Sequence, residues 1–433
     1  MDSVWPNQPL TRCKWLPRLA AVILATEKPT SHEGRACRGQ PGGGVGGPNH
    51  FPLFAVAERD RAPRKRNTVT TRTTSDIPAT PADVTPEWLS ATLGKNGTEV
   101  VVSTVGLVPV GTGQTGSTYR ATVTYSANPS SLPTTFVIKL PSQDPEVRGK
   151  VGIAYRSEHG FYSELAESAR VPIPKVYHCD TAGEGYDFVL VMEDLAPAVQ
   201  GDEVAGCSVR AAELAAEAIA GLHAQFWCDP AIAVFPHVVI PKATPEVAKG
   251  VGDGIRMATD IALREFGSRL SEQDCRTLDE AARLTPAWLQ LAPERFSVLH
   301  GDFRLNNVLF APDESWISVV DWQSTTIGLP ARDLSYFIVS GLMPDVRVQA
   351  ERDLVGVYHR ALLAQGVQGY DLETCWRDYR LGVMQLNLIA TLGYAFTSTP
   401  THRSEDMMHT LFTRSCRAIR DLRTLELIRE LSV

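Results

Sequence analysis

Long apolar runs are missing from this 433-residue chain. None approaches the roughly 20 residues that a membrane-spanning helix needs, which argues against a span and against a membrane partner. A basic surplus is missing too. The 42 Lys and Arg stand against 49 Asp and Glu, for a net charge of −7. A mildly acidic chain is not built as a general nucleic-acid binder. Cysteine is sparse: eight residues at 13, 37, 179, 207, 228, 275, 375 and 416. No pair has CxxC spacing and none joins a Cys/His cluster of zinc-binding form. They read as reduced, mostly buried thiols of a cytoplasmic protein. HxH, HExxH and GxSxG motifs are absent, which speaks against zinc-type and serine hydrolases.

What is present suits a folded chain of more than one domain, with 43% hydrophobic, 21% charged and 8% aromatic residues. Charge is unevenly spread. Residues 1–75 hold 12 of the 42 basic and 5 of the 49 acidic groups, leaving a net −14 on the remainder. This segment carries GGGVGG at 42–47 and RKR at 64–66 and sustains no helical or strand period. It reads as a disordered extension. LAAVILA at 19–25, behind Arg12, Lys14 and Arg18, is too short an apolar region for a persuasive signal peptide. Three basic residues say little about nuclear targeting.

Order is expected from about residue 76. Thr85 can cap a helix in TPEWLSATLG that Gly94 ends. Alternating segments follow at 99–105, 119–125 and 134–140, then a helix over 145–168, then strands at 175–180 and 187–194. Beyond Leu195 the period is mostly helical, across 208–290, 331–365 and 371–430. Short strands interrupt it at 297–300, 307–310 and 316–322. The pattern predicts an α+β chain in two lobes: a small antiparallel sheet with one main helix over 76–194, and a larger helical lobe over 195–433. MEDLAPA joins them as a hinge.

The chemistry concentrates in HGDFRLNNVLF at 300–310 and VVDW at 319–322. Two apolar strands around a turn at 311–315 would bring Asn307 and Asp321 to one end of a hairpin. An amide carbonyl and a carboxylate there suit a hard cation that takes its other ligands from phosphates and water. Asp302 would stand beside that site, free to accept a proton from a hydroxyl. Arg304 could offset charge on a transferring phosphoryl group, or simply pair with a nearby carboxylate. His300 is expected to orient this loop, and Asp333 to brace it.

Gly111, Gly113 and Gly116 form a GxGxxG in VGTGQTGSTYRATVTY. It leads into a strand, where a dinucleotide-binding loop would open a helix. Ser117 stands where a Walker loop requires Lys. A turn between strands, with backbone N–H groups closing over phosphates, fits it. Lys139 lies in the apolar strand TTFVIKLP, where an unpaired ammonium would be costly. Glu158 and Glu164 are its candidate partners, with Glu158 better placed. In LVMEDL, Glu193 and Leu195 mark the position where backbone groups would meet an adenine.

These motifs, together with LHAQFW at 222–227 and ARDLSYF at 331–337, make residues 76–433 resemble the small-molecule branch of the protein-kinase-like fold. That branch includes aminoglycoside phosphotransferases, choline kinases and ecdysteroid-kinase-like proteins. The resemblance implies a kinase-like two-lobed fold, ATP and Mg2+ as cofactors, and transfer of the γ-phosphate to a hydroxyl of a small molecule. Carried over, Asp302 is the base, Asn307 and Asp321 hold magnesium, and Lys139 meets the α- and β-phosphates. Trp322 and Gln323 replace the Phe-Gly of protein kinases, and no APE-type segment follows, which disfavours a protein substrate. The terminal RTLELIRELSV lacks the acidic and aromatic cluster that suits a polycationic drug, so a metabolite ranks above an antibiotic. An inactive nucleotide-binding module is the alternative; a metal-dependent hydrolase on His300, Asp302, Asp321 and His359 is a third reading. The apolar stretch at 380–396 serves as pocket lining or as core.

Overall fold

The computed structural model describes residues 77–94, 99–110, 116–396 and 402–432. The extension expected over residues 1–75, and Gly111 and Gly113, lie outside the described residues.

The small lobe opens with α1 (Pro86–Leu93), which Thr85 caps by accepting the Trp88 N–H as its sequence predicts. Strands β1 (Val101–Pro109), β2 (Gly116–Ala127), β3 (Thr135–Pro141), β4 (Val176–Ala182) and β5 (Asp187–Glu193) form one antiparallel sheet in the order β1-β2-β3-β5-β4. β3 lies in the middle of that sheet, paired along one edge with β2 and along the other with β5. Phe136, Ile138 and Leu140 join Val189 and Val191 of β5 in one core. The opposite face packs Phe188, Leu190 and Met192 with Val151 and Tyr155 of α2 (Pro145–Gly160). Period 2 sends Lys139 to that second face, toward α2. The helix expected over 145–168 changes pitch within that span: Phe161–Leu165 form a π-type turn. There Phe161 stacks on Trp322 of the large lobe, with ring centroids 3.5 Å apart and planes 4° from parallel.

The large lobe is helical: α3 (Val209–Gln225), α4 (Pro245–Phe266), α5 (Glu272–Leu289), α6 (Ala331–Gly341), α7 (Pro344–Ala364), α8 (Leu372–Gly382), α9 (Met384–Phe396), α10 (His402–Asp421) and α11 (Thr424–Leu431). The helical stretch read over 331–365 is divided by Met343-Pro344, with Pro344 at the first position of α7, where its missing N–H costs nothing. Leu381, Val383, Met384, Leu386, Leu388 and Ala390 are buried in the main hydrophobic cluster, so most of the 380–396 stretch is core. Short strands β6 (Val199–Gln200), β8 (Val308–Phe310) and β9 (Ile317–Val319) form a three-stranded sheet, and β7 (Ser297–Leu299) pairs with β10 (Thr326–Gly328). None of the helices among the described residues is long and apolar enough to cross a membrane.

Candidate active site

The β8–β9 hairpin sets the first part of the site. Val308 pairs with Val319, and the Val320 N–H donates to the Asn307 carbonyl at 3.0 Å. Asn307 and Asp321 therefore leave the same end of the hairpin. Asp321 adopts the left-handed conformation (φ 68°, ψ 67°), which a non-glycine residue takes only against about 1–3 kcal/mol of strain. Its carboxylate keeps 39% of its side-chain surface open and lies 3.0 Å from Lys139 Nζ.

Lys139 is 7% exposed, and its Nζ also lies 2.9 Å from the fully buried Glu158 carboxylate. Glu164, the other candidate, instead meets His237 at 3.1 Å near the surface. Burial pulls the Lys139 ammonium down, but Asp321 and then Glu158 outweigh it, so its pKa rises above the ordinary value. Burial pushes Glu158 up against the pull of Lys139. Burial also opposes ionisation of Asp321, yet Lys139 wins and holds that carboxyl below its usual range. Gly116 begins β2 beside this lysine. A Cβ there would stand 3.1 Å from the Leu140 carbonyl and 3.6 Å from Lys139 Cε.

The loop at 300–307 forms the second part. Asp333, buried in the first turn of α6, accepts the N–H groups of His300 (2.6 Å) and Gly301 (3.0 Å). Behind it, His223 contacts Asp333 at 3.3 Å and the Tyr358 hydroxyl at 2.8 Å. Gly301 has φ +83°, and a Cβ there would meet the Ser324 carbonyl at 2.0 Å. His300 donates from Nε2 to the Val320 carbonyl (3.0 Å), and its Nδ1 accepts the Asp302 N–H (3.3 Å). With both ring nitrogens on backbone groups, His300 is an organiser of the loop.

Asp302 is surrounded by donors. The Tyr336 hydroxyl donates to Oδ1 at 2.8 Å, and Asn307 Nδ2 donates to Oδ2 at 3.1 Å and to the Asp302 carbonyl at 2.8 Å. Arg304 Nε lies 3.2 Å from the carboxylate. Burial, then the Asp302 carboxylate, holds the Tyr336 phenol well above its ordinary pKa, so it remains a donor. The far end of Arg304 reaches buried Glu203 at 3.1 Å. Neither Tyr336 nor Glu203 stands out in the sequence. Tyr336 sits inside ARDLSYF, the one signal that could have found it.

Two hinge positions read from the sequence sit at the end of β5. Glu193 exchanges bonds with Lys175: its N–H donates to the Lys175 carbonyl (2.8 Å), and its carboxylate accepts the Lys175 N–H (3.2 Å). The Leu195 carbonyl accepts from Ala198 N–H at 2.9 Å. Arg120 bridges from β2 to Asp194 at 2.8 Å. His359 of α7 donates to the Tyr370 carbonyl (2.8 Å), and no group of three His, Cys, Asp or Glu among the described residues is set to hold a metal ion.

Comparison with known proteins follows the same line. The model of the phosphotransferase enzyme family (APH) matches residues 107–372. Among curated proteins, acyl-CoA dehydrogenase family member 11 of Pongo abelii is 50% identical over 42 residues, 10% of this chain and 5% of that protein. Acyl-CoA dehydrogenase family member 10 of Mus musculus is 36% identical over 61 residues, 13% of this chain and 6% of that protein. The chain thus spans only about a twentieth of the length of the curated relatives it matches. Among solved structures, choline kinase from Cryptosporidium parvum is 11% identical with a TM-score of 0.47, covering 75% of this chain and 91% of that one. Macrolide 2′-phosphotransferase from Brachybacterium faecium is 18% identical with a TM-score of 0.42, covering 75% and 97%. The matched span, residues 107–372, takes in Lys139, Asp302, Asn307 and Asp321, and the chain belongs to the APH phosphotransferase enzyme family.

Proposed function

We propose that this protein transfers the γ-phosphoryl group of ATP to a hydroxyl of a small molecule. The observation that carries the reading is the meeting of Lys139 from the small lobe with Asp321 from the large one, beside the Asn307–Asp302 contact.

In this reading Lys139 holds phosphate oxygens of ATP, and Gly111, Gly113 and Gly116 would contribute backbone N–H groups to the same phosphates. Asn307 and Asp321 would hold magnesium. The donor set suits it: Asn307 spends its Nδ2 on Asp302 and so keeps its amide oxygen, and Asp321 presents a partly open carboxylate. Bound there, magnesium would offset charge on the phosphate oxygens. Glu193 and Leu195 would mark the adenine end of the site through their backbone.

Asp302 orients the acceptor hydroxyl and takes its proton. The acceptor oxygen forms a bond to the γ-phosphorus as the bond from that phosphorus to the bridging oxygen breaks, and ADP leaves with the electron pair. Most of the rate then comes from positioning and fixed charge. Arg304 holds the Asp302 carboxylate from the side.

The experiment is ATP consumption across a panel of small hydroxyl compounds, with Asp302→Asn as control. The variant is expected to lose roughly 10²–10⁴-fold in turnover, the usual contribution of a general base, with little change in ATP affinity. Full activity in Asp302→Asn would remove the base from the reading.

A further inference from the structure

Glu203 lies in the loop between β6 and α3, about a hundred residues before the motif it touches. Its side chain is 1% exposed, and an ionised carboxylate so placed needs partners. It has two. Its Oε1 accepts from Arg304 Nη1 at 3.1 Å and from the Asn306 N–H at 3.1 Å. The loop is itself pinned, since Arg414 of α10 donates to the Glu203 carbonyl at 2.8 Å and to the Ser340 carbonyl at the end of α6. Arg304 spans the gap: Nη1 on Glu203, Nε on Asp302. Among the described residues these two carboxylates are its ion-pair partners.

A long side chain fixed at one point keeps rotational freedom that a second fixed point removes. Arg304 held only by Asp302 would follow that carboxylate as it moved. Arg304 held also by Glu203 becomes a strut, with its outer end anchored in the body of the large lobe. Tyr336 then holds Asp302 from α6, and the strut holds it from the opposite segment, the loop after β6.

We propose that Glu203 is a positioning residue of the phosphoryl transfer, acting through Arg304 to fix the Asp302 carboxylate. The kinetic part of this inference rests on the phosphotransfer reading above; the structural part does not.

The test uses the full chain in two measurements. The first is the Arg304 Nε–H resonance in nuclear magnetic resonance spectra, assigned by its loss in Arg304→Lys. In the wild type this half-buried N–H, held on the Asp302 carboxylate, is expected to exchange more slowly than a free guanidinium; in Glu203→Gln it exchanges at least about 10-fold faster as the strut is released. The second is hydrolysis of Mg-ATP, with water as the acceptor. Glu203→Gln is expected to lose about 10–100-fold in kcat, the cost of a misplaced reacting group, while KM for Mg-ATP stays within about twofold. Glu203→Asp, which keeps the charge at shorter reach, covers a glutamine variant that does not fold: it is expected to loosen the Arg304 N–H and lower kcat in the same direction. Wild-type exchange of the Arg304 N–H in either folded variant overturns the proposal, whatever the enzyme turns over. Wild-type kcat with a loosened Arg304 overturns its kinetic part. Unaltered turnover in Asp302→Asn would instead sink the functional reading and leave the strut standing on the spectroscopic result.

Discussion

Lys139 Nζ and Asp321 Oδ1 stand 3.0 Å apart although 182 residues separate them in the chain. One comes from the centre of the small sheet, the other from the strained residue that follows β9. The contact ties the two lobes at the point where the sequence motifs of each converge. Its charge balance is particular: one buried ammonium serves two carboxylates, Glu158 behind it and Asp321 in front. Glu158 is closed off from solvent and Asp321 is not, so Asp321 is the carboxylate that can turn to another cation.

Replacing Lys139 by Met should therefore harm both folding and activity. It leaves Glu158 buried without its cation, a loss of about 3 kcal/mol. A urea denaturation midpoint measures that part, and nucleotide affinity by calorimetry measures the other. A variant as stable as the wild type would mean that Glu158 finds another partner or a proton.

Tyr336→Phe removes one hydroxyl and little volume. Its hydroxyl is the group that meets Asp302 Oδ1 at 2.8 Å. Turnover is expected to fall by about 10-fold through lost orientation of the base, with KM for ATP unchanged. Steady-state kinetics separates the two; a rise in KM alone would place Tyr336 in nucleotide binding instead.

Gly301→Ala is expected to be far more damaging than its size suggests. The position needs φ +83°, and the new Cβ would meet the Ser324 carbonyl at 2.0 Å. The strain is at least about 2 kcal/mol, and relief would shift the Asp302 loop. Thermal unfolding and turnover should both fall, and an alanine variant with wild-type turnover would show that the loop tolerates the shift.

His159 makes stability depend on pH. Burial lowers its pKa below the ordinary 6.5, opposed in part by Asp180 and Glu164, while His237 adds to the lowering. Its folded pKa is depressed, so the unfolded chain binds the proton more readily. Its contribution is present above about pH 6.5 and is lost as pH falls from there through the folded value. Denaturation at pH 7.5 and 5.5 should show a larger drop in the wild type than in His159→Gln. Equal drops would assign the dependence to other groups.

Much of this site was legible in the chain. The spacing within HGDFRLNNVLF and VVDW acts through a hairpin of a few residues, so local strand pairing suffices to bring Asn307 and Asp321 together. Alternation along TTFVIKLP assigns Lys139 to the face opposite Phe136 and Ile138. Glu158 and Glu164 lie six residues apart, on different faces of a helix, so only one could meet that lysine. Thr85 with Pro86 marks a helix start through backbone chemistry that needs no distant partner; the break before Pro344 rests on the same chemistry, although the period over 331–365 reads as one stretch.

Other features depended on packing. Nothing near Glu203 suggests a role, because its partners Arg304 and Asn306 lie 101 and 103 residues away. Tyr336 and Asp302 are 34 residues apart, and only the seating of α6 against the 300–307 loop sets their distance. Arg304 could not be assigned from sequence, since a guanidinium beside a base suits either a phosphate or a carboxylate; the fold supplied two carboxylates. The sequence by itself determined which residue types stand a few positions apart, because local periodicity and turn chemistry act over one or two turns of chain. The tertiary structure alone decided which charges face one another and which are shut from water, because burial belongs to the packed whole.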